Sequence, residues 1–305
     1  MVGQAAKRRK GRQGFLVFAL FSAILFWVAT GLHRRDTGGL RVTFLDVGQG
    51  DSCVIESPSG KIIVIDAGNI LDEGNDDQGR RVVAPYLRSR GINAIDILVL
   101  THPDTDHIGG AASLLHEFPV TLLLENGQFG KTESAIVSAI FREVKRRNTA
   151  IRIARRGQKI ALGDGANLTV LAPTDAMMSG TTNDASVVMR LDYGRHSFLL
   201  TGDAGETEET ELLAANQSLA CDVLKAGHHG SKHSTTPAFA IAAKPRYGIF
   251  SCGKRNTYGH PNPGVVNRLK AIGAAIYRTD TQGAITFHSD GVTLSAETAL
   301  SSPVR

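Results

Sequence analysis

The segment Thr101–His107 concentrates four side chains that commonly bind metal ions: His102, Asp104, Asp106 and His107. Imidazole and carboxylate groups together suit zinc or manganese. Four ligands so close in sequence cannot all reach one ion with good geometry, so we expect the first pair and the second pair to serve two adjacent ions. A helix cap would explain one aspartate here, but not two aspartates together with two histidines. The segment therefore predicts a divalent metal site.

Two later loops carry further residues of the types that bind metals. Asp203 follows the apolar run SFLL, and His228 and His229 follow the run DVLKA. A single aspartate at the end of a strand is more often a helix cap than a ligand. The four candidate ligands in the first loop favour the interpretation of Asp203 as a metal ligand instead. We expect one of the two histidines to be a ligand and the other to orient a ligand or face the substrate.

The elements around these loops predict the scaffold. The buried strand pattern IDILVL (95–100) precedes the first loop and a helical pattern follows it, beginning near Ile108. Along the chain, β-hairpins are followed by βα units, then by hairpins and βα units again. This order predicts an α/β fold in which two mixed sheets pack face to face with helices outside, an αβ/βα sandwich.

The N-terminal region predicts a membrane segment. Residues 14–32 form an uncharged apolar run, which as a helix would be roughly 28 Å long, about the thickness of a bilayer core. The basic run KRRKGR before it places the N-terminus in the cytoplasm and the rest of the chain outside. A cleaved signal peptide, which would release the protein, is the alternative. We predict a basic cytoplasmic tail over 1–13, the anchor or signal peptide over 14–32, a linker over 33–40 and one folded domain over 41–305.

Charge is distributed unevenly along the chain. Residues 1–35 hold seven basic side chains and no acidic one, which leaves 27 basic and 29 acidic residues beyond them. Composition therefore predicts no broad basic surface for nucleic acid, although a local patch stays open. The three cysteines, Cys53, Cys221 and Cys252, are too few and too scattered for a disulfide framework or a cysteine zinc site.

The motif HPDTDH followed by IGG resembles the HxHxDH signature of the metallo-β-lactamase superfamily, in the variant with aspartate at the second histidine. About residues 40–295 resemble one branch of it, the hydrolase domain of ComEC-type competence (DNA-uptake) proteins. The matching motifs are FLDVGQGDS (44–52), IDAG (65–68), THPDTDHIGG (101–110), TGD (201–203), LKAGHHGS (224–231) and NTYGHPNP (256–263). The resemblance identifies 41–305 as a metallo-β-lactamase-like hydrolase domain.

The resemblance also implies roles for individual residues. In the superfamily the aspartate of a motif like IDAG braces the metal loop, which gives that role to Asp66. The bridging carboxylate falls on Asp203. The implied metal ligands are His102, Asp104, Asp106, His107, Asp203 and His228, with His229 as the alternative to His228. Superfamily members usually have another histidine before the bridging aspartate, but residues 181–191 contain none. Whether one or two metal positions are filled therefore stays open.

The function that the resemblance implies is an exported, membrane-tethered metallohydrolase that acts as a phosphodiesterase or nuclease on DNA. We expect two divalent ions, Zn or Mn, that share a hydroxide oriented by Asp203, and we count Asp106 with Asp203, His229 and His260 as the catalytic residues. The candidates for assisting the leaving oxygen are His229, His260 and Lys225. The candidates for binding phosphate oxygens or ordering the site are Lys225, Ser231, Asn256 and Tyr258. Asp46, Gln49 and Asp51 either line the pocket or belong to a tight glycine turn.

Two alternatives remain from the sequence. One is an exported hydrolase of another ester, such as a cell-wall or lipid-headgroup phosphodiester, or a lactone. The other is a non-catalytic module that a metal stabilises. DNA or another phosphodiester is the expected substrate, and the membrane is the expected partner through residues 14–32. Because that region offers a single candidate span, separate membrane partners are a further possibility, and the oligomeric state is left open.

Overall fold

The computed structural model describes residues 38–72, 76–179, 183–215 and 217–300. The predicted tail and anchor over 1–32 lie outside these residues. Within the described ranges, no helix combines the length and apolar character needed to cross a bilayer. The first strand begins at Leu40, where the predicted linker ends.

The strands form two mixed sheets and one small hairpin. Their bounds are β1 Leu40–Phe44, β2 Cys53–Glu56, β3 Ile62–Ile65, β4 Ile70–Asp72, β5 Asp76–Asp77, β6 Ile95–Leu100, β7 Val120–Glu125, β8 Ala150–Ile153, β9 Lys159–Gly163, β10 Ala166–Ala172, β11 Val188–Tyr193, β12 His196–Leu200, β13 Val223–Lys225, β14 Tyr247–Phe250, β15 Ala275–Arg278, β16 Ile285–Ser289 and β17 Leu294–Thr298. The first sheet has the order β17-β16-β1-β2-β3-β6-β7-β8, and the second β15-β14-β13-β12-β11-β10-β9. In each sheet one half is antiparallel and the other parallel.

Helices cover the outer faces of both sheets. The α-helices are α1 Ala84–Ser89, α2 Thr105–Ile108, α3 Ala111–Glu117, α4 Ala135–Arg147, α5 Glu206–Ala214, α6 Pro237–Ala243, α7 Pro263–Ala271 and α8 Thr279–Gln282. A π-helical segment, Gly79–Val83, leads into α1. Three apolar layers result: one between the sheets, one under α1, α3 and α4, and one under α5, α6 and α7. The predicted α/β sandwich of two mixed sheets is confirmed.

Strand β6 shows how the sequence produces these layers. Alternate side chains of a strand point to opposite faces, so Ile97 and Val99 join the layer between the sheets while Leu98 and Leu100 pack under the helices. Burial on both faces explains why the strand reads as a continuous apolar run. The loop Thr101–His107, which carries the first four candidate metal ligands, therefore begins at the end of a strand that is packed on both faces.

The helix expected near Ile108 is divided in two by Gly109 and Gly110. A Cβ on Gly110 would lie 2.2 Å from the backbone nitrogen of Gly79, and one on Gly109 would lie 2.4 Å from that of Ile70. Only glycine permits backbone segments to approach this closely. The Ile-Gly-Gly sequence thus lets the chain just after the loop Thr101–His107 pack against the segment that follows β3. The segment 69–80, expected as a loop, also contains the short β4–β5 pair.

Candidate metal centre

The predicted loops meet at one end of the sandwich because each follows a parallel strand. Asp66 comes directly after β3, Thr101 directly after β6, and the loop with Asp203 after β12. The histidine loop, Gly227–Gly230, follows β13. Strands β3 and β6 are parallel neighbours, as are β12 and β13, so the carboxyl ends within each pair lie side by side. The structure thus brings together side chains that lie more than a hundred residues apart.

His107 is buried, and each of its ring nitrogens lies near a carboxylate oxygen. Its Nδ1 lies 2.8 Å from Asp66 Oδ2, and its Nε2 lies 3.1 Å from Asp203 Oδ1. The other oxygen of Asp66 accepts the backbone N–H of Thr101 at 2.8 Å, and the Thr101 hydroxyl donates to Asp66 Oδ2 at 2.7 Å. A carboxylate at Nδ1 fixes the tautomer that leaves Nε2 free to ligate a metal. Asp66 therefore contacts both ends of the segment Thr101–His107.

The two adjacent histidines of the third loop face different surroundings. His229 is buried, its Nδ1 donates to the Ser251 carbonyl at 2.9 Å, and its Nε2 lies 3.2 Å from Asp106 Oδ2 and 3.4 Å from Asp203 Oδ2. The His228 side chain is 36% exposed, and its Nε2 lies 3.7 Å from Asp203. Both residues have positive φ, 45° and 53°. This turn directs His229 into the cluster, so the geometry favours His229 over His228 as the inner ligand.

His102 and Asp104 form the other part of the predicted set. His102 is buried, with its Nε2 3.7 Å from Asp104 Oδ2 and its ring centroid 4.1 Å from that of His107. On the opposite side, the Ser186 hydroxyl lies 3.5 Å from His102 Nδ1 and accepts the Asp203 backbone N–H at 3.2 Å. Ser186 belongs to the region without a histidine, and it contacts the site through these polar interactions.

An ion pair that the sequence did not predict lies beneath the cluster. The Lys225 ammonium makes a short ion pair with Asp51, donates to the Gly202 carbonyl at 2.8 Å, and lies 3.7 Å from Asp203 Oδ1. Both ends of the pair are buried. Asp51 forms a candidate metal group with His107, Asp203 and His229, in which one ligand atom of each lies within 4.8 Å of the others. The sequence held one sign of this pair: Asp51 and Lys225 each stand at or near one end of a buried strand.

Mutual compensation stabilises the buried charges of this cluster. Burial alone would raise the pKa of Asp51, but Lys225 and His229 lower it well below its usual range. Burial also opposes ionisation of Asp203, yet His107 and His229 hold its pKa far below the ordinary value. In the opposite sense, burial would lower the pKa of His229, and Asp203 and Asp51 raise it to about 9. The carboxylates thus create a strong preference for positive charge in this cavity.

The donor atoms also fit a divalent cation. Within this cluster, four buried polar atoms have no hydrogen-bond partner: His102 Nε2, His107 Nε2, Asp51 Oδ1 and Asp203 Oδ1. Buried polar atoms are normally satisfied, so a group of unsatisfied ones calls for an explanation. Imidazole nitrogens and carboxylate oxygens are ligands that zinc and manganese both accept. A cation among these atoms would satisfy them.

A cleft of about 580 Å³ opens above the cluster. The residues that line it include Gln49, Asp104, Asp106, Asp203, His228, His229, Tyr258 and His260. The cleft gives a substrate direct access to side chains of all three predicted loops: Asp104 and Asp106 of the first, Asp203 of the second, and His228 and His229 of the third. Its size is within the range of small-molecule sites in enzymes.

The structure separates the remaining predicted substrate residues into two groups. Tyr258 and His260 line the cleft. Asn256 instead holds its own loop, since its amide donates to the His260 carbonyl at 2.7 Å and accepts the His260 N–H at 2.9 Å. Ser231 is buried and accepts the backbone N–H of His233 at 3.4 Å. Lys225 lies beneath the cluster, outside the cleft lining. Burial, with His229 and His228 nearby, lowers the pKa of His260 to about 4.

Residues 45–254 match the model of the metallo-β-lactamase superfamily, so the chain belongs to that superfamily. The most similar relatives include three proteins with competence or recombination names. ComE operon protein 3 of Bacillus subtilis is 34% identical over 257 residues, which cover 81% of this chain and 32% of that protein. Competence protein ComA of Neisseria gonorrhoeae is 31% identical, covering 89% and 38%, and Recombination protein 2 of Haemophilus influenzae is 30% identical, covering 80% and 28%. The chain thus spans about a third of the length of these relatives, and it corresponds to the hydrolase domain of ComEC-type proteins.

Solved structures with similar folds are more distant. Zn²⁺-bound PqqB from Methylobacterium extorquens aligns with a TM-score of 0.48 and 11% identity, covering 78% of this chain and 97% of that one. A diphosphatase of the PhnP family aligns with a TM-score of 0.42 and 16% identity, covering 70% and 86%.

Proposed function

We propose that this superfamily hydrolase is a metal-dependent phosphodiesterase whose substrate is DNA. One observation carries the proposal: the histidines and aspartates of four separate loops converge below an open cleft, with buried Nε2 and carboxylate atoms left without hydrogen bonds. A structural metal site would be closed by protein ligands, whereas a catalytic site keeps access for substrate. The cleft over this cluster favours the catalytic interpretation over a module that a metal merely stabilises.

The chain offers two neighbouring groups of ligands. Asp106, His107 and His229 form the first, and their donor atoms all face Asp203 or lie beside it. His102 and Asp104 form the second, with Asp203 as the carboxylate the two groups would share. Asp51 lies under the first group, where Lys225 already holds one of its oxygens. We propose His229 in place of His228 as the last ligand, because it is buried and directed inward.

A divalent cation bound here would polarise the phosphoryl oxygen and lower the pKa of water at the site. The residues of the chain prepare the site for this chemistry. Asp66 fixes the ring of His107, the Ser251 carbonyl fixes that of His229, and Lys225 compensates the charge of the buried carboxylates. His228 and His260 lie on the cleft side of the cluster, and the lowered pKa of each keeps its ring neutral, so that a ring N–H can hydrogen-bond to the leaving oxygen.

The named relatives support DNA as the substrate, and the N-terminal sequence supports an exported location. ComE operon protein 3 and ComA carry competence names. The basic run and the apolar residues 14–32 support a membrane tether with the hydrolase domain outside the cytoplasm, or secretion if the segment is cleaved. The domain beyond residue 35 has more acidic than basic side chains, an observation that keeps another exported ester as the second candidate.

Metal replacement in the full chain tests the proposal. The purified protein would be stripped of metals and restored separately with zinc and manganese. Its activity would then be measured on labelled single- and double-stranded DNA and on bis-p-nitrophenyl phosphate. We expect metal-dependent DNA cleavage that is lost in Asp106→Asn and kept in Asp164→Asn, an exposed position in the turn between β9 and β10.

Each outcome of that experiment has a distinct meaning. Cleavage of the small diester with DNA untouched would keep the chemistry and reject DNA as the substrate. Wild-type rates in Asp106→Asn would contradict the metal-dependent mechanism at this cluster. A strong fall in DNA cleavage with added salt would further support a polyanionic substrate, because phosphate contacts release counterions.

A further inference from the structure

An aromatic side chain stands at the mouth of the cleft with most of its surface in solvent. Tyr258 is 71% exposed and lines the same cleft as His228, His229 and His260. A large aromatic side chain normally gains stability by burial, and this one contributes little to any of the apolar layers. Its position next to the cluster indicates that a ligand uses the ring.

The Tyr258 ring rests on a neighbour that is itself fixed. The ring centroids of Tyr258 and His260 are 5.7 Å apart with an interplanar angle of 24°, which is an offset stack. The backbone of His260 is clamped by the Asn256 amide at 2.7 and 2.9 Å, and its Nδ1 lies 3.5 Å from Gln49 Nε2. The stack is therefore organised before any ligand arrives, which reduces the entropy lost on binding.

The stack leads directly to the proposed metal cluster. The centroid of His260 lies 6.0 Å from that of His229, and His229 lies 5.2 Å from His107. Tyr258 is thus separated by one ring, that of His260, from a residue of the cluster. In a nucleotide only the sugar separates the base from its phosphate. A base stacked on Tyr258 would therefore direct its phosphate towards the cluster.

Charge on the surrounding loops complements a polyanion. Lys254 and Arg255 are exposed in the loop that carries Tyr258, and Lys232 is exposed directly after the histidine loop. Proteins that bind single-stranded nucleic acid combine basic side chains along the backbone with aromatic platforms on which bases stack. This rim has both features, although the folded domain as a whole is not basic.

We infer that Tyr258, backed by His260, is a stacking platform for one unpaired nucleobase, so that the site takes single-stranded polynucleotides. A paired base is covered on both faces by its neighbours in a duplex, and it would have to leave the stack to reach the ring. The inference rests on the proposed phosphodiesterase function, which it extends by naming the form of substrate and the residue that selects it.

The test compares a labelled oligothymidylate with an abasic sugar-phosphate strand of the same length. The full chain would be assayed with its restored metal as wild type, Tyr258→Ala and Tyr258→Phe. Stacking of one base on an aromatic ring corresponds to roughly a 5- to 100-fold effect, and an exposed ring belongs near the lower end. We expect wild type and Tyr258→Phe to have a KM for the base-containing strand at least about 5-fold below that for the abasic strand. Tyr258→Ala should lose this difference between the two strands.

The other outcomes separate the platform from the proposed function. If wild type cleaves both strands equally, or if Tyr258→Ala keeps the preference, the platform is wrong and the phosphodiesterase proposal stands. If Tyr258→Phe loses as much as Tyr258→Ala, the hydroxyl binds the substrate and stacking does not. If no strand is cleaved, the proposed function fails. In that case the affinity of wild type for each of the two strands would be measured by fluorescence anisotropy. Equal affinities would contradict the stacking platform.

Discussion

Replacement of Lys225 by methionine would isolate the contribution of the buried ammonium. Lys225→Met keeps a long unbranched side chain and removes the group that contacts Asp51, the Gly202 carbonyl and Asp203. Lys225, Asp51 and Asp203 are all buried, and only 4% of Lys225 and 6% of Asp51 are exposed. The substitution therefore leaves the buried Asp51 carboxylate without the ammonium group that pairs with it.

The expected cost follows from this burial. Removal of one partner of a buried ion pair typically costs about 3–5 kcal/mol, because the remaining charge is left without compensation. Whole domains are stable by only about 5–15 kcal/mol, so the variant should lose a large fraction of its stability. In a protein of this size the melting temperature should fall by roughly 6–20 °C.

The assay is urea unfolding of the metal-stripped full chain, with Lys270→Met, an exposed position on α7, as the control. The double variant Lys225→Met with Asp51→Asn should be more stable than the sum of the two single losses predicts, because it removes both charges of the pair. A loss in Lys225→Met below about 1 kcal/mol, the value typical of surface pairs, would refute the charge compensation argued here.

Two further predictions concern groups around the site. Asp66→Asn places an amide against the Thr101 and His107 donors, so metal affinity measured by chelator competition should fall about 10- to 100-fold; unchanged affinity would show that Asp66 does not set the His107 tautomer. On α5, burial with Asp184 nearby raises the pKa of Glu208 well above its ordinary value. The folded chain then holds a proton that the unfolded chain releases, so stability falls as pH rises from the ordinary carboxyl pKa through the folded one. Glu208→Gln should make the free energy of unfolding fall less over this range, and an identical pH profile in urea unfolding would contradict the assignment.

Much of the site could be predicted from local patterns. His102, Asp104, Asp106 and His107 stand together in a short segment after an apolar strand, and the structure places all four at the strand end that this pattern indicates. The amphipathic pattern of residues 133–148 predicts a helix there, and α4, Ala135–Arg147, matches it closely because Ser134 caps its start and Asn148 with φ 54° ends it. These features depend on neighbours in sequence.

The features that the sequence left undecided depend on tertiary contacts. The positive φ at both His228 and His229 determines which of the two side chains points into the cluster. The pattern HHG alone does not predict that backbone conformation. The Asp51–Lys225 pair joins residues from the two halves of the chain, so the sequence presented Asp51 as a pocket or turn residue and Lys225 separately as a candidate for contacting the substrate. Asn256 appeared as a candidate phosphate ligand, but its hydrogen bonds to His260 use its side chain within its own loop.

The central claim is that the cluster around Asp203 is a metal centre that hydrolyses phosphodiesters. The most direct measurement determines bound metal by elemental analysis and DNA cleavage in the same preparations of wild type, His229→Ala and His233→Ala, the last an exposed histidine used as control. The account predicts bound divalent metal and metal-dependent cleavage in wild type and the control, with both strongly reduced in His229→Ala. Unchanged metal content and cleavage in His229→Ala would contradict the account.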